Sequence, residues 1–105
     1  MRIVKTRHAP GPDEEAHAQN LVLDAARKLG WLAYHTHDSR RSHAGYPDLT
    51  LVRGKRLICV EMKAPKGKTT PEQDAWLAAL AGAGAECYVW RLADWTSGAI
   101  DGVLT

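Results

Sequence analysis

The sequence predicts a single α/β domain whose helices and strands follow the order αβββαβ. A helical segment with acidic residues in its first turn opens the pattern at residues 13–29. Two apolar runs, joined by a tight turn at Gly54-Lys55, indicate a β-hairpin in the middle of the chain. A second helix is well marked at its start by Thr70, Pro71 and Gln73. The length of 105 residues and the 45% hydrophobic content fit one modest core.

The remaining elements follow from local patterns. Gly30 suits the end of the first helix, and aromatic and polar residues that alternate after it favour a strand. The predicted elements are a helix at 13–29, strands at 31–37, 49–53 and 56–63, a helix at 71–83 and a strand at 86–92. The tail, residues 93–105, is predicted to hold one short helix.

Composition argues against membrane insertion and secretion. No stretch approaches the ~18 apolar residues of a membrane span, and the first ten residues lack the apolar segment of a signal peptide. Cys59 and Cys87 both lie in apolar runs, which is typical of buried, reduced cysteines in a cytoplasmic protein. A bridge between the two cysteines remains open at this point.

Positive charge is concentrated in the middle of the chain, although the net charge is only +2. Residues 35–68 hold eight of the fourteen Lys and Arg residues but only three acids. This surplus predicts a polyanionic partner, with an ordinary solvated surface as the alternative. The predicted nucleic-acid contacts lie in the two loops beside the hairpin: Arg40, Arg41, Lys66 and Lys68.

Charged residues occupy the ends of the two most apolar strands. Side chains alternate along a strand, so Glu61 and Lys63 share a face. The hairpin turn brings Asp48, at the start of the neighbouring strand, opposite this end. Two carboxylates and an ammonium group at the edge of a buried sheet would cost several kcal/mol without partners. The pattern therefore predicts either a functional site or a structural ion-pair cluster.

A divalent cation is the economical partner for these acids. Oxygen ligands from Asp48 and Glu61 suit Mg²⁺ or Mn²⁺, with water in the other positions and the carbonyl of Met62 as a further candidate. A metal-bound water near Lys63 is a candidate nucleophile. Lys63 would orient this water, help to deprotonate it, or stabilise the charge that develops on a phosphate. The short pattern recurs by chance in sequences, so its placement on paired strands carries most of the argument.

Two helical residues are candidates for the same site. Gln73 shares a helix face with Trp76, Leu77 and Leu80, so it is expected on a face that packs on the sheet. A capping-box role alone is its alternative. Glu15 extends the core-facing stripe of the first helix, and Glu14 is the backup. The alternative for Glu15 is an acid favoured by the helix dipole.

Histidines and cysteines offer a competing zinc hypothesis. His35 and His37 share a strand face, and His43 with Cys59 or Cys87 would complete a ligand set. The spacing matches no compact zinc motif, so contacts of these histidines with phosphate are the alternative. Four aromatic residues are predicted to serve the core or an interface rather than base stacking: Trp31, Tyr34, Trp90 and Trp95.

The ordered set of motifs resembles the VRR-NUC branch of the PD-(D/E)XK nuclease superfamily. The matching segments are Gly45-Tyr46-Pro47-Asp48, Val60-Glu61-Met62-Lys63, Lys66-Gly67 and Thr70-Pro71-Glu72-Gln73, with Trp76, and earlier Glu15, Gln19 and Gly30-Trp31. The resemblance covers roughly residues 13–95 of a single domain at 1–105, and the catalytic triplet shows no departure from the family pattern.

The resemblance implies a restriction-endonuclease-like αβββαβ core, with a mixed central sheet flanked by helices, and metal-dependent cleavage of DNA. It implies that Asp48 and Glu61 bind metal, Lys63 serves the water and Gln73 supports the site, with Glu15 as the acid of the first helix. Small single-domain members resemble phage-type homodimers that act on branched DNA, in a bacterial or phage-infected cell. The alternative is a non-cleaving nucleic-acid-binding module that keeps the fold.

Overall fold

The computed structural model describes residues 12–37 and 43–105. The helices are α1 (Pro12–Lys28), α2 (Pro71–Gly82), α3 (Leu92–Thr96) and α4 (Ala99–Leu104). The strands are β1 (Leu32–His35), β2 (Leu49–Arg53), β3 (Arg56–Met62) and β4 (Glu86–Trp90). Up to β4 this is the predicted order αβββαβ, with bounds that differ from the prediction by a few residues at most.

The four strands form one mixed sheet in the order β1-β2-β3-β4. β1 pairs with β2 and β2 with β3 in antiparallel fashion, whereas β3 and β4 are parallel. The turn between β2 and β3 uses Gly54 at a φ of 60°, a conformation that glycine adopts without steric cost. The predicted mixed sheet flanked by helices is therefore confirmed.

One face of the sheet carries the main core. Alternate residues of β2 and β3 point to this face, and they pack against a stripe on α1 at helical spacing, Ala18, Val22 and Ala26. The fully buried strand residues are Leu49, Leu51, Ile58, Val60 and Met62. Because α1 is fixed along this face, its first turn lies at the end of the sheet where β2 begins and β3 ends.

The C-terminal segment closes the same core with two short helices, where the sequence predicted one. Ile100 and Leu104 of α4 are fully buried. The indole Nε1–H of Trp31 donates to the carbonyl of Leu104 at 3.0 Å, and Arg53 donates to the same carbonyl at 2.9 Å while stacking on the Trp31 ring. Gly98, in the left-handed conformation, separates α3 from α4, and this turn explains the division.

The opposite face of the sheet is only partly covered. α2 lies over β3 and β4, and none of its residues is fully buried. The four residues of the predicted stripe are half-buried: Gln73, Trp76, Leu77 and Leu80. This face of α2 does pack on the sheet, as predicted, but its side chains are not fully buried. Along β1 and β2 this face is open, and the side chains of Leu32 and Tyr34 are 77% and 63% exposed.

Two smaller expectations need correction. Cys59 is buried, but Cys87 is half-buried because it lies on the sheet face that α2 covers incompletely. Both cysteines are free, although they are register partners on β3 and β4. Tyr34 was predicted to serve the core or an interface; β1 carries it on the open part of the sheet, which excludes the core and leaves the interface role as a prediction. Within residues 12–37 and 43–105, no helix has both the length and the apolar composition needed to cross a membrane.

Candidate active site

The hairpin register brings the two predicted carboxylates together. Leu49 pairs with Val60, so Asp48, one residue earlier, stands opposite Glu61. The backbone N–H of Met62 donates to Oδ2 of Asp48 at 2.8 Å, which fixes that carboxylate against β3. The Nζ of Lys63 lies 3.6 Å from Oε2 of Glu61. The structure therefore places the predicted acid pair and lysine at one end of the sheet.

Gln73 combines its two predicted roles. Its backbone N–H donates to Oγ1 of Thr70 and its Oε1 accepts from the backbone N–H of Thr70, which completes a capping box. Its Nε2 also donates to Oε2 of Glu61 at 2.9 Å. Because the cap fixes the amide at one end, the other end holds the Glu61 carboxylate in a defined orientation.

A cavity of about 360 Å³ opens in front of these groups. Glu15 lines it from the first turn of α1, whereas Glu14 is not among its lining residues, so the choice between the two acids is resolved in favour of Glu15. The other polar side chains of the wall are Gln19, His35, Thr36, His37, Asp48, Glu61, Lys63 and Gln73. The cavity thus collects residues from α1, β1, β2, β3 and α2.

Burial and neighbouring charge raise the pKa values of two acids in this cavity, Glu61 and Glu15. Glu61 is 3% exposed, and burial followed by the negative charge of Asp48 raises its pKa to about 8. Burial and the charge of Asp48 also raise the pKa of Glu15, while Lys63 and a backbone hydrogen bond with Ala64 act in the opposite direction. Three carboxylates therefore line one cavity with a single ammonium group, and the site favours added positive charge.

The donor set fits a hard divalent cation. Oε1 of Glu61 is buried and meets no hydrogen-bond donor when Glu61 is ionised, which is rare in folded proteins; either a proton shared with Asp48 or a bound cation would satisfy it. Within the described residues, no group of three His, Cys, Asp or Glu side chains is already placed to hold a metal. Mg²⁺ commonly takes one or two carboxylates and keeps several waters, which matches the Asp48 and Glu61 pair.

The zinc hypothesis finds no support in the part of the chain that the structure describes, since no His and Cys set converges there. The rings of His35 and His37 lie 4.9 Å apart between centroids and are tilted by 39°, and Gln19 Nε2 lies 2.8 Å from His35 Nε2. Both histidines lie on the wall of the cavity instead. Contact of these histidines with phosphate stays a prediction.

The remaining predicted site residues are Met62 and the four basic residues of the loops. The side chain of Met62 is buried in the core, and its carbonyl stays a predicted ligand. Lys66 and Lys68 are exposed on the loop between β3 and α2. The guanidinium of Arg91 donates to the carbonyl of Gly67 at 2.7 Å and so ties this loop to the end of β4. Arg40 and Arg41 lie outside the described residues.

Two further residues at the site were not predicted as such. Thr36 and Tyr46 line the cavity, and the backbone N–H of Thr36 donates to the carbonyl of Asp48 at 2.8 Å. Gly45, at a φ of 96°, approaches α2 so closely that an added Cβ would lie 2.6 Å from the backbone of Glu72. Because side chains alternate along a strand, the sequence could have placed Thr36 on the same sheet face as Tyr34. No local sequence pattern reveals that Gly45 approaches a helix.

Comparisons with known proteins agree with this geometry. The family model for the VRR-NUC domain matches residues 4–94. A solved structure described as a VRR_NUC domain protein is similar in fold, with a TM-score of 0.57 and 23% sequence identity. The similarity covers 71% of this chain and 74% of that one. A search of curated proteins found no match.

Proposed function

Because the chain belongs to the VRR-NUC family, we propose that it is a metal-dependent endonuclease that hydrolyses phosphodiester bonds of DNA. One observation carries the proposal: Glu61, held by Gln73 beside Asp48 and Lys63, has a buried oxygen without a partner at the cavity end of the sheet. A site with two carboxylates, a lysine and an unsatisfied oxygen is incomplete without a cation.

The proposed cofactor is Mg²⁺ or Mn²⁺. Asp48 and Glu61 would hold it, with Glu15 and the carbonyl of Met62 as further ligands and water in the remaining positions. When bound, the cation polarises a phosphoryl oxygen and neutralises the negative charge that develops during phosphodiester hydrolysis. The raised pKa values of Glu61 and Glu15 mean that these acids ionise more readily when positive charge is supplied.

The chain's own residues then have separate tasks. Lys63, whose side chain is 15% exposed, brings a positive charge to the cavity within 3.6 Å of Glu61. From there it orients the attacking water and stabilises the charge of the phosphate in the transition state. Gln73 keeps the Glu61 carboxylate in one orientation, and the Met62 N–H does the same for Asp48.

The proposed substrate is DNA, with branched DNA as the finer expectation, and the proposed assembly is a homodimer. Exposed Lys66 and Lys68 follow directly after the strand that carries Glu61 and Lys63, where they would contact phosphates beside the cleaved bond. A non-cleaving DNA-binding module would share these basic contacts but would have no use for the perturbed acids.

The test is incubation of the purified protein with linear and branched DNAs in Mg²⁺, Mn²⁺ or EDTA. We expect cleavage with either metal, none in EDTA, and a loss of about 10²–10³-fold or more in Lys63→Ala, as for removal of one charge-stabilising donor. Lys55→Ala, in the exposed hairpin turn, is the matched control and should cleave like wild type. Binding without cleavage in every metal would instead establish the non-cleaving module.

A further inference from the structure

A second cavity, of about 430 Å³, lies beside the cavity that Asp48, Glu61 and Lys63 line, which we call the catalytic cavity. We call it the aromatic pocket, and its lining residues are Tyr34, Thr36, His43, Tyr46, Thr50 and Trp76. We propose that the aromatic pocket receives an unpaired nucleobase of the DNA strand being cut. The inference rests on the proposed nuclease function and specifies the substrate class: DNA with an unpaired nucleotide next to the cleaved phosphate.

The aromatic pocket is continuous with the catalytic cavity. Thr36 and Tyr46 line both. Tyr34 and Thr50 are register partners on β1 and β2, and Thr50 lies two residues after Asp48 on the same sheet face. Two residues along a strand span about 6.8 Å, a distance that a single unstacked nucleotide can bridge between its phosphate and its base. A strand with its phosphate at Asp48 therefore has a neighbouring base within reach of the pocket.

The chemistry of the walls suits a base better than a phosphate. None of the described residues that line the pocket is Lys, Arg, Asp or Glu. Tyr34 presents a ring that is 63% exposed, and Trp76 meets Tyr46 edge to face at 5.1 Å between centroids. Aromatic walls with few polar groups are typical of sites for planar ligands, and stacking on them tolerates any of the four bases.

Contacts within the protein hold part of the pocket wall in place. The Tyr46 hydroxyl lies 3.3 Å from Oγ1 of Thr50, and Oγ1 of Thr36 donates to the carbonyl of Pro47 at 2.9 Å. The close approach of Gly45 to the backbone of Glu72 holds the loop before β2 against α2, so Tyr46 meets Trp76. This part of the wall binds a ligand without the cost of ordering its side chains.

Whether the base beside the cleaved phosphate is paired then determines which DNA fits the pocket. A base in a duplex must leave its stack to enter the pocket, which costs free energy, whereas this cost is least for an unpaired base. Flaps, gaps and branched DNAs with single-stranded arms supply such bases beside a scissile phosphate, and uniform duplex does not. The pocket thus gives a physical reason for the preference for branched DNA that the proposed function contains.

Abasic substitution tests the inference without relying on cleavage. A single-stranded DNA oligonucleotide is compared with versions that carry one abasic nucleotide at successive positions, which removes the base but keeps every phosphate. Affinity is measured in EDTA for wild type, Tyr34→Ala and Tyr34→Phe. The matched control is Leu32→Ala, which removes a 77% exposed side chain from the same strand and face, farther from Asp48.

We expect an abasic nucleotide at one position to weaken binding by wild type about tenfold, and Tyr34→Ala to weaken binding of the intact strand by a similar factor. The two changes should not add, because both remove the same stacking interaction. Tyr34→Phe and Leu32→Ala should bind like wild type. In Mn²⁺, Tyr34→Ala should also reduce the preference for branched over duplex DNA.

The outcomes separate this inference from the proposed function. Cleavage that depends on metal, together with affinity that is insensitive to abasic substitution, would overturn the pocket and leave the nuclease intact. A position-specific abasic effect in a protein that cleaves no DNA would support the pocket and refute the nuclease. If Tyr34→Ala converts a dimer to a monomer without changing abasic sensitivity, a second copy covers this surface, and the inference is overturned.

Discussion

Glu61 has features that a structural ion pair does not need. Its Oε2 accepts from Gln73 and lies 3.6 Å from Lys63, while its Oε1 is buried without a partner. A cluster retained only for stability would satisfy both oxygens, because an unpaired buried polar atom costs about 1–3 kcal/mol. The residue-scale evidence therefore favours a site that is completed by a bound cation.

The first prediction is the pH dependence of stability without metal. The folded-state pKa of Glu61, about 8, exceeds its ordinary value of 4.5, so the folded protein binds more protons than the unfolded chain between these pH values. The contribution of Glu61 to stability is therefore fully present below pH 4.5 and falls as pH rises toward 8. Denaturant unfolding in EDTA should show a loss on the order of a few kcal/mol across this range.

Glu61→Gln supplies the control for that measurement. The amide keeps the shape of the side chain and does not ionise, so most of the pH dependence should disappear, with the part due to Glu15 remaining. If wild type and Glu61→Gln lose stability equally across this range, Glu61 does not titrate as its burial implies.

At the scale of elements, the loop before β2 connects the sheet to α2. Gly45 adopts a φ of 96° and lies against the backbone of Glu72, and the residues that follow it include both Tyr46 and Asp48. A side chain at this point would force the loop away from the first turn of α2. The separation of Asp48 from Gln73 would increase as a result.

The second prediction is therefore that Gly45→Ala lowers the free energy of unfolding by about 3 kcal/mol, combining backbone strain with a clash against backbone atoms. Gly54→Ala is the matched control, since Gly54 also has a positive φ but nothing lies within 4 Å of an added Cβ. It should cost only about 1 kcal/mol. Equal losses in chemical denaturation would show that the close approach to Glu72 is unimportant.

Local chemistry made the element order predictable from sequence. The turn at Gly54, the capping box of Thr70 and Gln73, and the stripe of α1 each depend on neighbouring residues, and each is present in the structure. The alternation of Glu61 and Lys63 opposite Asp48 followed from strand period and hairpin register. The site geometry was accessible because its core residues lie on two strands joined by a short turn.

The burial of individual side chains was harder to predict, because it depends on packing between distant parts of the chain. α2 carries apolar residues on most sides, so its sequence does not show how deeply one face will be buried. Nothing near Tyr34 indicates that its side of the sheet is left open, and nothing near Cys87 indicates partial exposure. Such properties depend on which helices cover which face, and that is decided by interactions between residues far apart in the chain.

At the scale of the whole molecule, the exposed Lys66 and Lys68 lie on the loop that follows the strand of Glu61. The third prediction concerns salt dependence. Lys66→Ala with Lys68→Ala should weaken DNA binding and reduce the slope of log affinity against log salt by about 0.9 for each phosphate that is no longer neutralised. Arg40→Ala with Arg41→Ala should act similarly, a prediction that stands on the sequence alone. Lys28→Ala with Lys55→Ala removes equal charge elsewhere and should leave the slope near wild type.

The fourth prediction is a homodimer at micromolar concentration. Near the hairpin end, the register partners Val52 and Leu57 are 38% and 39% exposed, and adjacent exposed apolar residues of this kind are typical of interaction sites. Twofold symmetry is the commonest way to cover such a surface. Sedimentation should show a dimer for wild type and a monomer for Leu57→Asp. A wild-type monomer that cleaves fully at the same concentration would contradict it.

The most direct test of the metal site is thermal unfolding of wild type and Asp48→Asn, each in EDTA and in Mn²⁺. The substitution keeps the shape and removes a charge that opposes the ionisation of Glu61 and Glu15, so the variant should be at least as stable as wild type in EDTA. Mn²⁺ at a hundredfold excess over its dissociation constant should stabilise wild type by about 2.7 kcal/mol, and the variant should lose most of that gain. Destabilisation of Asp48→Asn by several kcal/mol in EDTA, with an intact response to Mn²⁺, would show that the acids and Lys63 form a structural ion cluster.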